Sequence, residues 1–329
     1  MFDKRRAWFI DFACFGVPGT GRQVPVRALL PLLTAACTCG CSAPGGSARV
    51  EDSLTSGRIA IACTREARPL IDRELAALVK LYPLAEIRVV DRTSRDAVRA
   101  LFGAQCDVAV IARELDPVER GAAVRGRLEL EGYRFAKDAV VVVVHPSNPV
   151  ENLAFDDLRG IYEGRIKEWA KLGGPAAGIE PVIPPAESDV TEFFVERVMG
   201  GQPIRAPVLR EESDSAVVAS VARRPHAIGF VSLAAESGAK RLRLSALAGL
   251  PYWAPDLEAV HRGDYPLTRY FNFYVRASAP PLAGGLITFV TSIDGQRVVR
   301  EAGLVPTSVP VRFVRRSPMR SAHGEETPR

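Results

Sequence analysis

Short apolar runs alternate with helical patterns in the first half of the chain's body. An apolar residue recurs every three or four positions in the helical patterns, whereas the short runs are rich in Val, Ile and Ala. The strand-like runs lie at 58–63, 86–91 and 107–112, and the helical patterns lie at 68–82 and 94–104. This alternation predicts a parallel sheet with helices on its faces.

The second half begins with the run DAVVVVVHP at 138–146, which is bounded by Asp and Pro. A continuous apolar run of this length is typical of a strand that is buried on both faces. Further strand patterns lie at 180–184, 227–233 and 269–276, and helical patterns lie at 154–164, 188–199, 214–224 and 282–303. The second half is therefore also predicted to be α/β.

Hydroxyl and charged side chains follow the predicted strands at their carboxyl ends. In parallel α/β sheets ligands bind at this edge, next to helix N-termini. For Thr64, Ser94 and Ser188 the simpler interpretation is N-capping of the next helix. Because several such loops occur together, we expect a ligand site formed by Thr64, Arg65, Ser94, Arg95, Arg113, Ser188 and Asp189.

The stretch PPAESDVTEFFVERVMGG at 184–201 predicts a helix that begins near Ser188. The N-terminus of a helix favours anions through its free N–H groups and its dipole. Here it already carries the acidic residues Glu187, Asp189 and Glu192. We expect Asp189 itself to cap this helix.

The charge of the chain is concentrated at its ends. The 329 residues include 43 Lys and Arg and 38 Asp and Glu, with an isoelectric point near 9.0. The excess of basic residues lies in 1–41 and 311–329, and the body between them is close to neutral. Because the body carries no basic stripe interleaved with aromatic residues, we expect no nucleic-acid partner.

No pattern in the sequence indicates catalysis, a metal or a cofactor. The chain has four His residues and no P-loop, HExxH or Ser/His/Asp arrangement. Cys63 ends a predicted strand and lies near the start of a helix, where a thiol can be activated, but a buried Cys is usually inert. We therefore expect a non-enzyme, with no disulfide between Cys63 and Cys106.

Residues 26–48 resemble a bacterial lipoprotein signal. An apolar run follows Arg27 and ends in small residues and cysteines, and a Ser/Gly/Pro stretch comes next. Cys37 is the predicted acylated residue, and Cys39 and Cys41 are the alternatives. A metal site on these cysteines is disfavoured because no His is nearby. The preceding acidic residues suit a signal poorly, so we expect translation to start downstream, at Val24 or Val26.

Four segments resemble the phosphate-binding proteins of ABC importers. They are FAKDAVVVVVHPSNPVENLAFDDLRGIYEGRIKEWAKLGG at 135–174, HAIGFVSL at 226–233, YPLTRYFNFYV at 265–275 and DGQRVVREAGLVP at 294–306. The resemblance implies the type II periplasmic binding protein fold, with two doubly wound α/β lobes, a two-stranded hinge and a small ligand in the cleft. It also implies an extracytoplasmic location and an ABC permease as partner, with membrane attachment through the lipid anchor.

The order of these segments predicts the domain bounds. We expect a signal and linker at 1–56, lobe one at 57–137 plus 233–310, an inserted lobe two at 138–232, and a basic tail at 311–329.

The loops that bind phosphate in the family are only partly preserved. Ser94 and Arg113 match family positions, but Ala112 replaces a Ser. At the helix of the second lobe, Pro184 replaces an Arg, and Asp189 and Val190 replace Gly and Thr. The resemblance thus implies a solute-binding protein, and these departures predict an altered small ligand, anionic or of mixed charge, with phosphate or another oxyanion kept as possible ligands. The alternative is a degenerate binding protein that acts as a sensor or scaffold.

Overall fold

The computed structural model describes residues 51–235 and 238–307. The signal-like segment with Cys37, Cys39 and Cys41 and the basic tail at 311–329 lie outside the described residues. The strands are β1 (Gly57–Cys63), β2 (Ala85–Asp91), β3 (Val108–Ile111), β4 (Leu130–Val144), β5 (Asn152–Ala154), β6 (Glu180–Ile183), β7 (Leu209–Arg210), β8 (Ala227–Ser232), β9 (Lys240–Arg241), β10 (Arg243–Ser245), β11 (Thr268–Arg276) and β12 (Val305–Pro306).

Helices cover both faces of the sheet that these strands form. The helices are α1 (Arg68–Leu81), α2 (Ser94–Phe102), α3 (Pro117–Arg125), α4 (Phe155–Tyr162), α5 (Asp189–Arg197), α6 (Asp214–Arg223), α7 (Leu257–Arg262), α8 (Pro281–Val290) and α9 (Ile293–Glu301), with a 3₁₀ helix at Trp169–Leu172. Among the described residues, no helix has both the length and the apolar character needed to span a bilayer.

Strand β4 connects the two halves of the sheet. The strand order is β2-β1-β3-β11-β4-β8-β6-β7. The first part of β4 pairs antiparallel with β11, and Val140–Val144 pairs antiparallel with β8. The pairs of β1 with β2 and β3 are parallel, as the alternating pattern predicted. The pairs of β6 with β7 and β8 are parallel as well.

Each half of the sheet has its own apolar core. One core packs β1, β3 and β11 against α1, α8 and α9, and the other packs β4, β6 and β8 against α4, α5 and α6. These are two α/β lobes. Strand β4 and the chain before β11 run between the lobes. There, Val140 N–H donates to Leu267 C=O at 2.9 Å. The predicted fold class is confirmed.

The exact lobe bounds remain a proposal. The core of the second lobe includes Leu242, Leu244, Tyr265 and Leu267, although the predicted bounds place 233–310 in lobe one. We therefore propose that the chain returns to lobe one at β11 and not at residue 233.

The helical pattern at 282–303 forms two helices instead of one. Helix α8 ends at Val290, and the Ser292 hydroxyl caps α9 by accepting from Gly295 N–H. A Cβ at Gly295 would lie 2.4 Å from Phe289 O and 2.5 Å from Val290 Cα. Glycine at this position therefore allows α9 to turn back against the end of α8.

A buried carboxylate in α1 gives lobe one a pH-dependent stability. Glu74 is fully buried, neither of its carboxylate oxygens has a hydrogen-bond partner, and burial raises its pKa to about 8. The folded protein thus holds a proton that the unfolded chain releases above its ordinary pKa near 4.5. Stability is therefore lost as pH rises from 5 to 8.

We expect Glu74→Gln to remove this loss because the amide does not ionise. Relative to the wild type, the variant should gain on the order of 2–4 kcal/mol in free energy of unfolding between pH 5 and pH 8. Denaturant titrations at both pH values measure the gain, and Glu196→Gln, at an exposed position of α5, is the control. An equal effect of Glu74→Gln at both pH values would contradict the assignment.

Candidate functional site

A cavity of about 560 Å³ lies where the carboxyl ends of the parallel strands of both lobes meet. Lobe one contributes the loops after β1 and β2, and lobe two contributes the loops after β6 and β8 and the start of α6. Of the predicted site residues, Thr64, Arg65, Ser94, Ser188 and Asp189 line the cavity, whereas Arg95 and Arg113 are not among its lining residues. The volume is in the range of small-molecule sites.

The carboxylate of Asp189 joins lobe two to lobe one. Asp189 is 1% exposed. Its Oδ2 accepts from the backbone N–H of Ala112 at 2.8 Å, and its Oδ1 accepts from the Ser94 hydroxyl. Its own N–H donates to Glu66 Oε1 at 3.1 Å. Three hydrogen bonds from one residue of α5 thus reach three loops of lobe one.

The prediction that Asp189 caps α5 is wrong. Ser188 is the N-cap, and its hydroxyl accepts from Thr191 N–H at 3.2 Å. Because the cap is already supplied, the carboxylate of the next residue is free to turn across the cleft. Helix α2 repeats the arrangement, since Thr93 caps it and the hydroxyl of Ser94 is left to donate to Asp189.

Arg113 is held by carboxylates at the side of the cleft. Its Nη1 and Nη2 donate to the two oxygens of Glu119, each at 2.8 Å, and its Nε lies 3.6 Å from Glu192 Oε2. Arg95 Nε lies 3.6 Å from the other oxygen of Glu192. Glu192, on α5, therefore provides a second contact between the lobes, between a carboxylate of lobe two and arginines of lobe one.

Arg65 and Thr64 are the predicted residues whose side chains have no assigned partner. Arg65 is exposed at the cavity and makes no ion pair within 51–235 and 238–307. Thr64 is 1% exposed, and its Oγ1 has no hydrogen-bond partner. Neither residue caps α1, whose N-cap is Ala67.

Carboxylates dominate the electrostatics of the cavity. Burial, with the nearby charge of Asp189, raises the pKa of Glu66 to about 7. Burial also raises the pKa of Asp214 to about 6, although Asp214 accepts from Ser232 N–H at 2.7 Å. Outside the cavity lining, burial likewise raises the pKa of Glu192. The carboxylates of the cavity wall thus carry more negative charge than the nearby arginines neutralise.

A buried ion pair lies at the junction of the lobes. Arg269 of β11 donates from Nε to Asp138 Oδ2 at 2.8 Å, and both side chains are almost completely buried. The other oxygen of Asp138 accepts from the Ser232 hydroxyl at 2.9 Å and from Leu233 N–H at 3.1 Å. The pair thus ties β4, β8 and β11 together.

Sequence reasoning missed Glu119, Asp214 and Arg269. Only Glu119 had a local signal, because Asp116 and Glu119 have the spacing of a capping box and the structure contains one. Asp214 and Arg269 have no local sequence signal, because only the folding of distant segments brings them close to the site.

The thiol of Cys63 is not activated. It is fully buried, it donates to Thr64 C=O at 3.3 Å, and burial raises its pKa. Cys63 and Cys106 are both free and buried. In the part of the chain that the structure describes, no group of three His, Cys, Asp or Glu residues could hold a metal ion.

Two α/β lobes with a ligand-sized cleft at their strand ends form a type II periplasmic binding protein fold, and comparison with known proteins identifies the family. The sequence model of the PBP superfamily domain matches residues 48–294, so the chain belongs to the PBP superfamily.

Several relatives of this chain are named phosphate-binding proteins. The phosphate-binding protein PstS of Bacillus subtilis is 26% identical over 267 residues, which cover 80% of this chain and 84% of the relative. The PstS of Pseudomonas aeruginosa PAO1 is 26% identical over 69% of this chain and 76% of its own length. An ABC-type phosphate transport receptor from Vibrio cholerae superposes with a TM-score of 0.65 at 24% identity, covering 75% of this chain and 99% of that chain. The resemblance to phosphate-binding proteins of ABC importers is confirmed.

We expect Ser94→Ala to destabilise the protein by about 1.5–3 kcal/mol, because it removes a buried hydrogen bond to a charged acceptor. Thr93→Ala is the matched control, since it removes the cap of α2 and the hydrogen bond to Asp96 Oδ2 but no contact with Asp189, and it should cost about 1 kcal/mol. On an Asp189→Ala background the cost of Ser94→Ala should largely disappear, whereas that of Thr93→Ala should persist. Denaturant titrations of the single and double variants measure this, and additive costs for Ser94→Ala and Asp189→Ala would contradict the contact.

Proposed function

We propose that this protein is an extracytoplasmic solute-binding protein that works with an ABC importer and binds a ligand other than orthophosphate. The proposal takes the solute-binding role from the family. It takes the change of ligand from one observation, the hydrogen bonds that the Asp189 carboxylate accepts from Ser94 and Ala112.

Phosphate is disfavoured because the donors that would bind it are already occupied and because a negative charge is already present. By the resemblance, Ser94 and position 112 belong to loops that bind phosphate in the family. Here the donors of both loops are already used by a carboxylate of the protein itself. A phosphate would have to displace this carboxylate or lie beside it, and two anions in a partly buried site repel each other. Arg113 offers little compensation because both of its Nη groups are engaged with Glu119.

The charged side chains that line the cavity support a ligand that carries both a positive and a negative group. Arg65 lines the cavity without an ion pair in the described ranges, and Glu66 and Asp214 line it as well. A ligand with an anionic and a cationic group would find a partner for each.

A second candidate function, a sensor or scaffold without transport, is favoured by the direct side-chain contacts that join the lobes. Asp189 bonds to Ser94 and Ala112, and Glu192 lies 3.6 Å from arginines of lobe one. Binding proteins normally close around their ligand. Saturable binding of a small solute would favour the first function, and its absence would favour the second.

We also propose that the protein is a lipoprotein whose anchor is Cys37. The support is the sequence at 26–48, an apolar run that ends in TAAC and is followed by the linker SAPGGSA. An anchored binding protein needs no membrane-spanning helix of its own, and its body faces the compartment where solutes are captured.

Phosphate binding by the wild type should be weaker than about 1 mM, because two or three charge-assisted bonds of about 1.5–3 kcal/mol each are missing. The double variant Pro184→Arg/Asp189→Gly should bind phosphate measurably by calorimetry, since it restores an arginine and frees the Ser94 hydroxyl and the Ala112 N–H. Val190 is left unchanged because it is buried in the core of lobe two.

The matched control is Pro184→Arg/Glu187→Gly, which makes the same change of net charge in the same loop but leaves the Asp189 carboxylate in place. It should gain little affinity. Arg113→Ala on the Pro184→Arg/Asp189→Gly background should reduce the gain. Micromolar phosphate binding by the unmodified protein would contradict the proposal.

Expression with the intact N-terminus should give a protein that partitions into detergent and incorporates a labelled fatty acid. Cys37→Ala should abolish the label, and Cys106→Ala is the control that should retain it. If Cys37→Ala is still labelled, the acylated residue is Cys39 or Cys41. If the wild type is never labelled, the lipoprotein proposal is wrong.

A further inference from the structure

Three side chains on the cavity wall have oxygen atoms that accept from no other residue within the described ranges. Glu66 uses Oε1 to accept from Asp189 N–H at 3.1 Å, and Asp214 uses Oδ2 to accept from Ser232 N–H at 2.7 Å. No other residue in these ranges donates to the second carboxylate oxygen of either, and the backbone N–H of Glu66 also interacts with its own carboxylate. Both residues line the cavity, one from the loop after β1 and the other from the start of α6.

Thr64 is an independent observation at the same place. It lines the cavity, it is 1% exposed, and its Oγ1 has no hydrogen-bond partner. Buried hydroxyls nearly always have a partner, so an unsatisfied one at a cavity indicates a group that the cavity receives. A hydroxyl next to carboxylates can accept from the same donor that they accept from.

The protein supplies too little positive charge for these carboxylates. Arg269 is the buried cation that interacts with Glu66 and Asp189, but it is already paired with Asp138. Arg73, on the cavity wall, donates to Glu301 C=O, and Arg65 and Arg92 are exposed. The inner wall of the cavity is therefore acidic, although arginines lie at its rim.

We propose that the cavity binds the cationic group of a small organic solute, an ammonium or a guanidinium, through Glu66, Asp214 and Thr64. This inference rests on the proposed solute-binding function and specifies its ligand. An N–H-bearing cation would donate to the free oxygens of both carboxylates and to Thr64 Oγ1. A bare metal ion does not suit the site, because the described residues contain no group of three metal-ligating side chains.

The protonation behaviour of the two acids agrees with this assignment. Burial raises the pKa of Asp214 to about 6, and burial together with Asp189 raises that of Glu66 to about 7. For both carboxylates, the burial that raises the pKa outweighs the opposing effect of the nearby Arg269 cation. A cationic group in the cavity would supply the missing charge.

The test uses three probes, ethylammonium, methylguanidinium and putrescine, with acetate as the anionic control. At 10 mM and pH 8, we expect at least one of the three cations to raise the melting temperature of the full-length protein and to bind saturably by calorimetry. Glu66→Gln and Asp214→Asn should each weaken the binding at least tenfold, and Thr64→Val should weaken it severalfold. Glu212→Gln, an exposed acid on the same cavity, is the matched control and should change the affinity less than twofold.

If none of the three cations binds, or if Glu66→Gln and Asp214→Asn leave the affinity unchanged, the inference is wrong. Native mass spectrometry after incubation with a deproteinised bacterial extract separates this failure from that of the proposed function. A bound solute without a positively charged group would overturn the cationic site and leave the solute-binding function standing. No bound solute at all, together with no binding of the three cations, would overturn both.

Discussion

The cleft of this protein is organised around one carboxylate, that of Asp189. It is buried between the lobes and accepts from the Ser94 hydroxyl of α2 and from the backbone N–H that follows β3. Hydrogen bonds to a charged acceptor are among the stronger ones, and here they connect loops that are far apart in sequence. The position of α5 relative to lobe one, and so the shape of the remaining cavity, depends on this contact.

Under the proposed function, the same carboxylate takes the place of the phosphate. The donors of lobe one that the resemblance assigns to phosphate are bonded to a side chain of lobe two. The proposal therefore holds that these hydrogen bonds supply the free energy of closure that phosphate binding would supply. The neighbouring cavity is lined by more carboxylates than arginines. Lobe closure and ligand selectivity are, in this proposal, two consequences of one substitution.

Sequence reasoning reached the fold and the loops of the site, but not the contacts between them. Strand and helix periodicity fixed the α/β order, and the segments at 135–174 and 265–275 identified the family. Ser188 and Thr93 are N-caps because capping depends on local sequence. By contrast, the direction of the Asp189 carboxylate depends on Ser94 and Ala112, which only the folded arrangement brings near it. Asp214 and Arg269 were missed for the same reason, since each acts on a cavity formed by distant segments.

The distance between the lobes in solution tests the central claim most directly. Spin labels on exposed positions of α2 and α5, in protein that has been unfolded and refolded to remove any bound solute, report this distance. Our account predicts one short distance in the wild type that does not change on addition of phosphate, and a longer, broader distribution in Asp189→Ala. A wild-type protein that is open without ligand and closes when phosphate is added would contradict it.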